Sequence, residues 1–177
     1  EQVKLAGGKP VPVATKDHQL NCEAIEAAVT PRTKAILINS PNNPSGAVYP
    51  LADLQKITQL ADDHNLFVIA DEAYGAFVYD GSVPASMFDI ERARSRIIVT
   101  RSFSKSYSMT GFRIGYIAAS GQIIKALSKV QSHLSGNVCT FAQYGALAAL
   151  LLDDQLLSAR RSQLQQKRDV AFQHIIC

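Results

Sequence analysis

Three short apolar runs, each followed by polar residues, are the feature that most limits how this chain can fold. They are residues 35–39, 66–70 and 96–100, and none of them alternates with polar residues. Unbroken aliphatic runs of this length are typical of parallel strands covered on both faces. A helical pattern between the first two runs completes a strand–helix–strand unit. The sequence therefore predicts an α/β fold, a three-layer αβα arrangement with a mostly parallel sheet.

Helices are predicted between and after these strands. Residues 51–64 place apolar side chains on one helical face, with Pro50 at the first helical position, where its missing N–H costs nothing. A shorter helix begins with Asn21 as N-cap and extends to about Val29. A further strand is predicted at 112–119, with helices at 122–132, 140–152 and 153–176. The apolar positions of the last helix are too sparse for a core helix.

Composition excludes several classes of protein. Of the 177 residues, 47% are hydrophobic and 19% charged, which is typical of a globular domain rather than a disordered chain. No run of about 18 apolar residues predicts a membrane span, so we expect no membrane partner. A net charge of +3 is too weak to indicate a nucleic-acid partner. The densest basic stretch, Arg92, Arg94, Arg96 and Arg101, is interpreted as a solvated turn.

The cysteines and histidines indicate neither disulfides nor metal. Cys22, Cys139 and Cys177 are odd in number and far apart, which favours a reducing compartment, the cytoplasm. The four histidines are scattered, without a second ligand at metal-binding spacing, so no metal site is expected.

Polar groups follow each of the three strands. The turn at 40–46 holds two asparagines, Asp71 and Tyr74 follow the second strand, and Lys105 follows the third. Taken singly, these groups have ordinary explanations: a stable turn, a helix cap, a surface lysine. Arg113 could likewise extend from its strand to solvent. Ligands bind beyond the carboxyl ends of parallel strands, however, so the joint arrangement indicates a site.

Three segments carry a resemblance to a known family: Asn39–Tyr49 (NSPNNPSGAVY), Val68–Tyr74 (VIADEAY) and Ser102–Tyr116 (SFSKSYSMTGFRIGY). They closely resemble the class I/II aminotransferases, pyridoxal-phosphate enzymes with the aspartate aminotransferase fold. The likeness is strongest to the branch with bacterial aspartate, aromatic and prephenate aminotransferases. It implies that residues 1–152 belong to the large cofactor-binding domain, incomplete at its N-terminal side. Residues 153–177 would form a long helix leading toward an absent small domain.

The resemblance also implies roles for individual residues. Lys105 would hold pyridoxal phosphate as a Schiff base and then move the substrate's Cα proton, with burial and nearby charge lowering its pKa. Asp71 would keep the pyridine nitrogen protonated. Asn43 and Tyr74 would hydrogen-bond the ring hydroxyl oxygen.

The remaining assignments concern the phosphate and the packing. Arg113 with Ser102 and Ser104 would bind the phosphate, and Gly111 and Gly115 would allow close backbone approach. Glu72 is expected to point away from the cofactor ring. Tyr107 and Tyr116 are expected to have structural roles.

The resemblance finally implies that parts of the site are absent. These are an upstream glycine- and serine-rich phosphate turn, an upstream aromatic residue that stacks on the ring, and a downstream arginine for the substrate carboxylate. The chain is therefore expected to be a fragment of an enzyme that transfers an amino group between an L-amino acid and a 2-oxo acid. The full-length protein is expected to be a homodimer. Two alternatives stay open: a cofactor-binding fragment without turnover, and a related C–S lyase acting by β-elimination.

Overall fold

The computed structural model describes residues 1–91 and 94–175. Arg92 of the predicted basic turn, Ile176 of the predicted last helix and Cys177 lie outside these residues. Within the described residues the chain forms four strands: β1 (Ala35–Asn39), β2 (Phe67–Asp71), β3 (Ile97–Ser102) and β4 (Gly115–Ala118). The same part of the chain forms seven α-helices: α1 (Gln2–Leu5), α2 (Cys22–Ala27), α3 (Leu51–Asp63), α4 (Phe103–Ser106), α5 (Gly121–Leu134), α6 (Thr140–Leu150) and α7 (Asp154–Ile175).

The strands form one sheet in the order β1–β2–β3–β4. The first three strands are parallel, and β4 runs antiparallel to β3. The α/β class with a mostly parallel sheet is thus confirmed. The register places Asn39 beside Asp71, and Asp71 beside Thr100. The strand ends that carry polar residues therefore meet at one edge of the sheet.

Local signals explain two of the helices. The Asn21 side chain accepts a 3.0 Å hydrogen bond from the Ala24 N–H, so it caps α2 as predicted. Pro50 has extended backbone angles (φ −69°, ψ 152°) and precedes α3 as its N-cap residue. Its predicted place at the first helical position is therefore wrong by one residue, and Leu51 begins the helix.

The main core lies between one face of the sheet and helices α2 and α3. Strands alternate their side chains between faces, so the second and fourth residues of β1 and β2 and the first and third residues of β3 are buried here. The fully buried members include Leu54, Ile57, Val68, Ile97 and Val99.

The opposite face of the sheet is less covered than the sequence predicts. Leu37 on β1 is 62% exposed, and Phe67 and Ile117 are also exposed. The expectation that the strands are covered on both faces is therefore not met at these positions by the described residues. The strands therefore carry more apolar side chains than the described residues cover.

The C-terminal helices pack more loosely than α3. Helix α6 buries Ala146 and Ala149 against Phe103 and Met109, close to α4. Helix α7 has no buried residue among those described, as its sparse apolar positions predict. Arg168 ties it to the body of the protein through a two-pronged ion pair with Asp80, at 2.7 and 2.8 Å. No helix in the described ranges combines the length and apolarity needed to cross a bilayer.

Candidate active site

The turn after β1 is built on asparagine side chains. Asn39 Oδ1 accepts hydrogen bonds from the Asn43 N–H and the Asn42 side-chain amide, both at 3.2 Å. Asn42 Oδ1 in turn accepts from the Ser45 hydroxyl at 2.7 Å. Asn and Asp favour such turns because their side chains bond to nearby backbone. These bonds hold the Asn43 backbone in place. Because none of them uses the Asn43 side chain, that side chain is free to contact other groups.

Asn43 and Tyr74 are brought into direct contact. The Asn43 side-chain amide donates to the Tyr74 phenol oxygen at 2.9 Å. Both residues border a cavity of about 1010 Å³. The contact joins the loops that follow β1 and β2.

Asp71 ends β2 and is half-buried. Its Oδ1 accepts a 3.0 Å hydrogen bond from the Ala73 N–H, and the Asn39 amide donates to its backbone carbonyl at 2.9 Å. The carboxylate thus caps a turn rather than a helix. Its Oδ2 accepts no hydrogen bond from the described residues, so it is available to a ligand.

Lys105 lies on α4, one short turn beyond β3. Ser102 caps this helix, because its hydroxyl oxygen accepts the Ser104 N–H at 3.1 Å. The Lys105 Nζ lies 5.9 Å from the centre of the Tyr74 ring. The Lys105 side chain is exposed, so the expected burial is not provided by the described residues.

Arg113 and Ser104, the other two predicted phosphate ligands, make fewer contacts at the candidate site. Arg113 adopts a left-handed backbone conformation (φ 52°), which is uncommon for a non-glycine residue and often marks functional sites. Its guanidinium donates to the Thr110 carbonyl at 3.0 Å. Within the described part of the chain, neither Arg113 nor the Ser104 hydroxyl hydrogen-bonds the other predicted residues.

The two glycines predicted to allow close approach behave differently. A Cβ placed on Gly115 would lie 2.5 Å from the Arg101 carbonyl oxygen, so this position requires glycine. A Cβ on Gly111 would meet nothing within 4 Å among the described residues, so these residues give the expectation no support at that position.

Arg101 corrects the interpretation of the basic stretch as a solvated turn. Its guanidinium pairs with the buried Glu72 carboxylate at 2.8 Å. Although its partial burial acts in the opposite direction, hydrogen bonds to Glu72 and Tyr116 raise the pKa of Arg101 above its usual value. Arg94 is exposed, as the prediction has it, and its guanidinium donates to the Phe88 carbonyl and lies over the Phe88 ring.

Sequence reasoning missed two groups near the site. Asn39 supports both the turn and Asp71, and a polar residue at the end of a buried strand was the available signal. Ser86 bonds Glu72 from 14 residues away, and no local pattern indicates such a contact. Tyr107 and Tyr116 pack on Phe103 at ring-centre distances of 5.4 and 5.8 Å, which supports their structural roles. Among the described residues no cluster of three side chains could hold a metal ion.

Comparison with known protein families gives one consistent result. The model of the family "Aminotransferase class I and II" matches residues 1–175. A probable aspartate/prephenate aminotransferase of Aquifex aeolicus is 42% identical over 99% of this chain and 46% of its own length. The aspartate aminotransferase of Bacillus subtilis is 37% identical, with the same coverage of both chains.

Solved structures agree in fold. The aromatic aminotransferase of Pyrococcus horikoshii superposes with a TM-score of 0.90 at 36% identity, over 97% of this chain and 47% of that one. The aspartate aminotransferase of Thermus thermophilus with maleate gives 0.89 at 34% identity, over 97% and 46%. The chain thus spans about half the length of the relatives that it matches.

Proposed function

Because the chain belongs to the class I and II aminotransferases, a pyridoxal-phosphate-dependent family, we propose that it forms part of the active site of an enzyme moving an amino group between an L-amino acid and a 2-oxo acid. The supporting observation is the meeting of Asn43, Tyr74 and Lys105 beside the ends of parallel strands. The chain spans about half the length of its relatives. Activity and substrates are therefore proposed for the whole protein.

The donor set fits the cofactor. Lys105 offers an accessible primary amine, the one side-chain group suited to a reversible covalent link with an aldehyde. Asp71 offers a carboxylate oxygen that can hold a pyridine nitrogen in its protonated form. The Asn43 amide and the Tyr74 phenol can both donate to the ring hydroxyl oxygen. These groups lie at neighbouring strand ends, where one flat ligand can reach them.

Three residues at or near α4 are the proposed donors to the cofactor's phosphate. The Ser102 oxygen accepts the Ser104 N–H, so its own hydroxyl proton stays free to donate to an anion. Arg113 uses one of its donors on Thr110 and keeps others for a phosphate. Ser104 is a third candidate, at the N-terminal turn of the same helix.

Lys105 is the residue proposed to move protons. When bound, pyridoxal phosphate supplies an electron sink that makes the substrate's Cα proton acidic. The Lys105 amine, once free of the cofactor, is the base that takes this proton and returns it. Tyr74 lies beside the amine and can help to orient it.

We extend the proposal to domain organisation and assembly. Residues 1–152 would belong to the large cofactor-binding domain, and residues 153–177 would lead toward a small domain. The weak packing of α7 supports a connecting role. A homodimer is proposed for the whole enzyme from the resemblance. Cys22 and Cys139 are free thiols, which supports a reducing compartment such as the cytoplasm.

The test is covalent trapping. The chain is mixed with pyridoxal phosphate, reduced with borohydride, digested and analysed by mass spectrometry. We expect the adduct on Lys105, and no adduct at that peptide in Lys105→Arg. Lys125→Arg, a change at another exposed lysine, is the matched control and should label normally. An adduct on a different lysine, or none, would contradict the assignment. The isolated chain should show little turnover with 2-oxoglutarate.

A further inference from the structure

Glu72 carries a buried carboxylate that the proposed chemistry does not use. The residue is 7% exposed. The Ser86 hydroxyl lies 2.9 Å from both carboxylate oxygens, and the Met87 N–H donates to Oε1 at 2.8 Å. A charge taken out of water this far is costly unless it is paired and hydrogen-bonded. The question is therefore what a buried carboxylate contributes at the position next to Asp71.

Arg101 provides the opposite charge from the neighbouring strand. Its Nε and Nη2 donate to Glu72 Oε2 at 3.1 and 2.8 Å. Arg101 lies on β3 directly before Ser102, as Glu72 lies directly after Asp71. The ion pair therefore joins β2 to β3 at the level where the candidate site begins.

The pair and the candidate site lie on opposite faces of the sheet. Successive residues of a strand point to opposite faces, so Glu72 and Asp71 diverge, as do Arg101 and Ser102. The Glu72 N–H also donates to the Thr100 carbonyl at 2.9 Å, which continues the strand pairing past Asp71. A clamp on one face thus holds the two strand ends that present ligands on the other.

Stability alone explains this arrangement poorly. The Glu72 carboxylate is taken out of water while the Arg101 side chain stays 43% exposed. The desolvation cost of the carboxylate therefore opposes an attraction that solvent partly screens. The two Arg101 donors on one Glu72 oxygen also fix the position of the two side chains relative to each other. The two strand ends would otherwise be held by backbone hydrogen bonds and by the loops beyond them.

We propose that Glu72 is a positioning residue whose ion pair with Arg101 fixes the spacing between Asp71 and the Ser102 cap of the Lys105 helix. This inference rests on the proposed function, since the spacing matters for a cofactor that spans both residues. Glu72 itself does not touch the cofactor.

The test uses the complete enzyme with Glu72→Gln, which keeps the shape and removes the charge. The matched control is Asp53→Asn, which removes a carboxylate from the ion pair with the exposed Lys56 on α3. Three quantities are measured: thermal unfolding without cofactor, affinity for pyridoxal phosphate, and the pH midpoint of the bound cofactor's visible absorption. We expect Glu72→Gln to bind the cofactor about tenfold more weakly, the size of effect that lost outer-shell bonds have on bound metals. Its pH midpoint should shift, while the control matches the wild type.

A purely structural role predicts a different pattern. If Glu72→Gln lowers the unfolding temperature but leaves cofactor affinity and pH midpoint unchanged, the positioning role is wrong. Should that variant fail to fold, Arg101→Lys keeps the charge but loses the forked donor geometry, and the same two measurements decide. A wild-type enzyme that does not bind pyridoxal phosphate would contradict the proposed function instead.

Discussion

The side-chain amide of Asn43 donates a 2.9 Å hydrogen bond to the phenol oxygen of Tyr74, although 31 positions separate the two residues. The bond orders both groups before any ligand arrives. It also uses the phenol as an acceptor, so the phenol proton remains available to a second partner. Two donors for one ring oxygen are thereby held side by side.

Tyr74→Phe should weaken cofactor binding without disturbing the fold. The change removes one donor and leaves the Asn43 amide without its partner, at a cost of about 1 kcal/mol, or roughly fivefold in affinity. Fluorescence titration of the complete enzyme with pyridoxal phosphate measures the loss. Tyr144→Phe is the control, because Tyr144 is 70% exposed and does not line the cavity that Tyr74 borders. Equal affinities for the two variants would contradict the role given to Tyr74.

Asp71→Asn should separate binding from turnover. The asparagine carbonyl can still accept the Ala73 N–H, so the turn is expected to persist. An amide cannot hold the pyridine nitrogen protonated, and loss of a preorganised electrostatic partner costs about 10²–10³-fold in rate. Borohydride trapping on Lys105 should continue while transamination by the complete enzyme collapses. Near-normal turnover would exclude Asp71 from this role.

Gly115→Ala should destabilise the pairing of β3 and β4. The added methyl would lie 2.5 Å from the backbone oxygen of Arg101, which cannot move without breaking the strand pair. Overpacking of this kind costs about 1–3 kcal/mol. Gly111→Ala has open space and serves as the matched control. Urea unfolding of both variants gives the comparison, and equal midpoints would contradict the predicted clash.

Alkaline pH should destabilise the fold through Tyr49. Burial raises the pKa of the Tyr49 phenol above its ordinary value of about 10. The folded state therefore favours the protonated phenol. This contribution is fully present below the ordinary pKa and is lost as pH rises through the higher folded value. Thermal unfolding at pH 8 and pH 11 should show a smaller loss in Tyr49→Phe than in the wild type. An identical loss would show that Tyr49 does not contribute.

Sequence patterns were sufficient where the physics is local. The unbroken apolar run at Ala35–Asn39 matches β1, because a short aliphatic run of this length is a local signal for a strand. The Asn21 cap follows equally well from neighbouring residues. Asp71, Tyr74 and Lys105 could be proposed as site residues because parallel strands bring their carboxyl ends together. Their roles stay predictions.

Contacts between distant segments could not be read in this way. Glu72 and Arg101 are 29 positions apart, and each looks like an ordinary surface charge until the strands pair. The exposure of Leu37 could not be predicted either. An unbroken apolar run indicates that a strand tends to be buried, but it does not identify the segment that buries it. Pro50 shows the limit of precision, since helix start signals are accurate to about one residue.

The alternation of Asp71 and Glu72 has a consequence for how this sequence can change. Two adjacent acids serve opposite faces of one strand, so inserting or deleting a single residue within β2 would exchange them. The longer side chain would then enter the ligand side, and the shorter one would fall short of Ser86 and Arg101. A substitution in β2 can leave both faces of the strand intact, whereas any one-residue change of length disturbs both. We therefore expect natural variation in length to fall in loops such as the exposed turn at Asp80–Ser82 rather than in this strand.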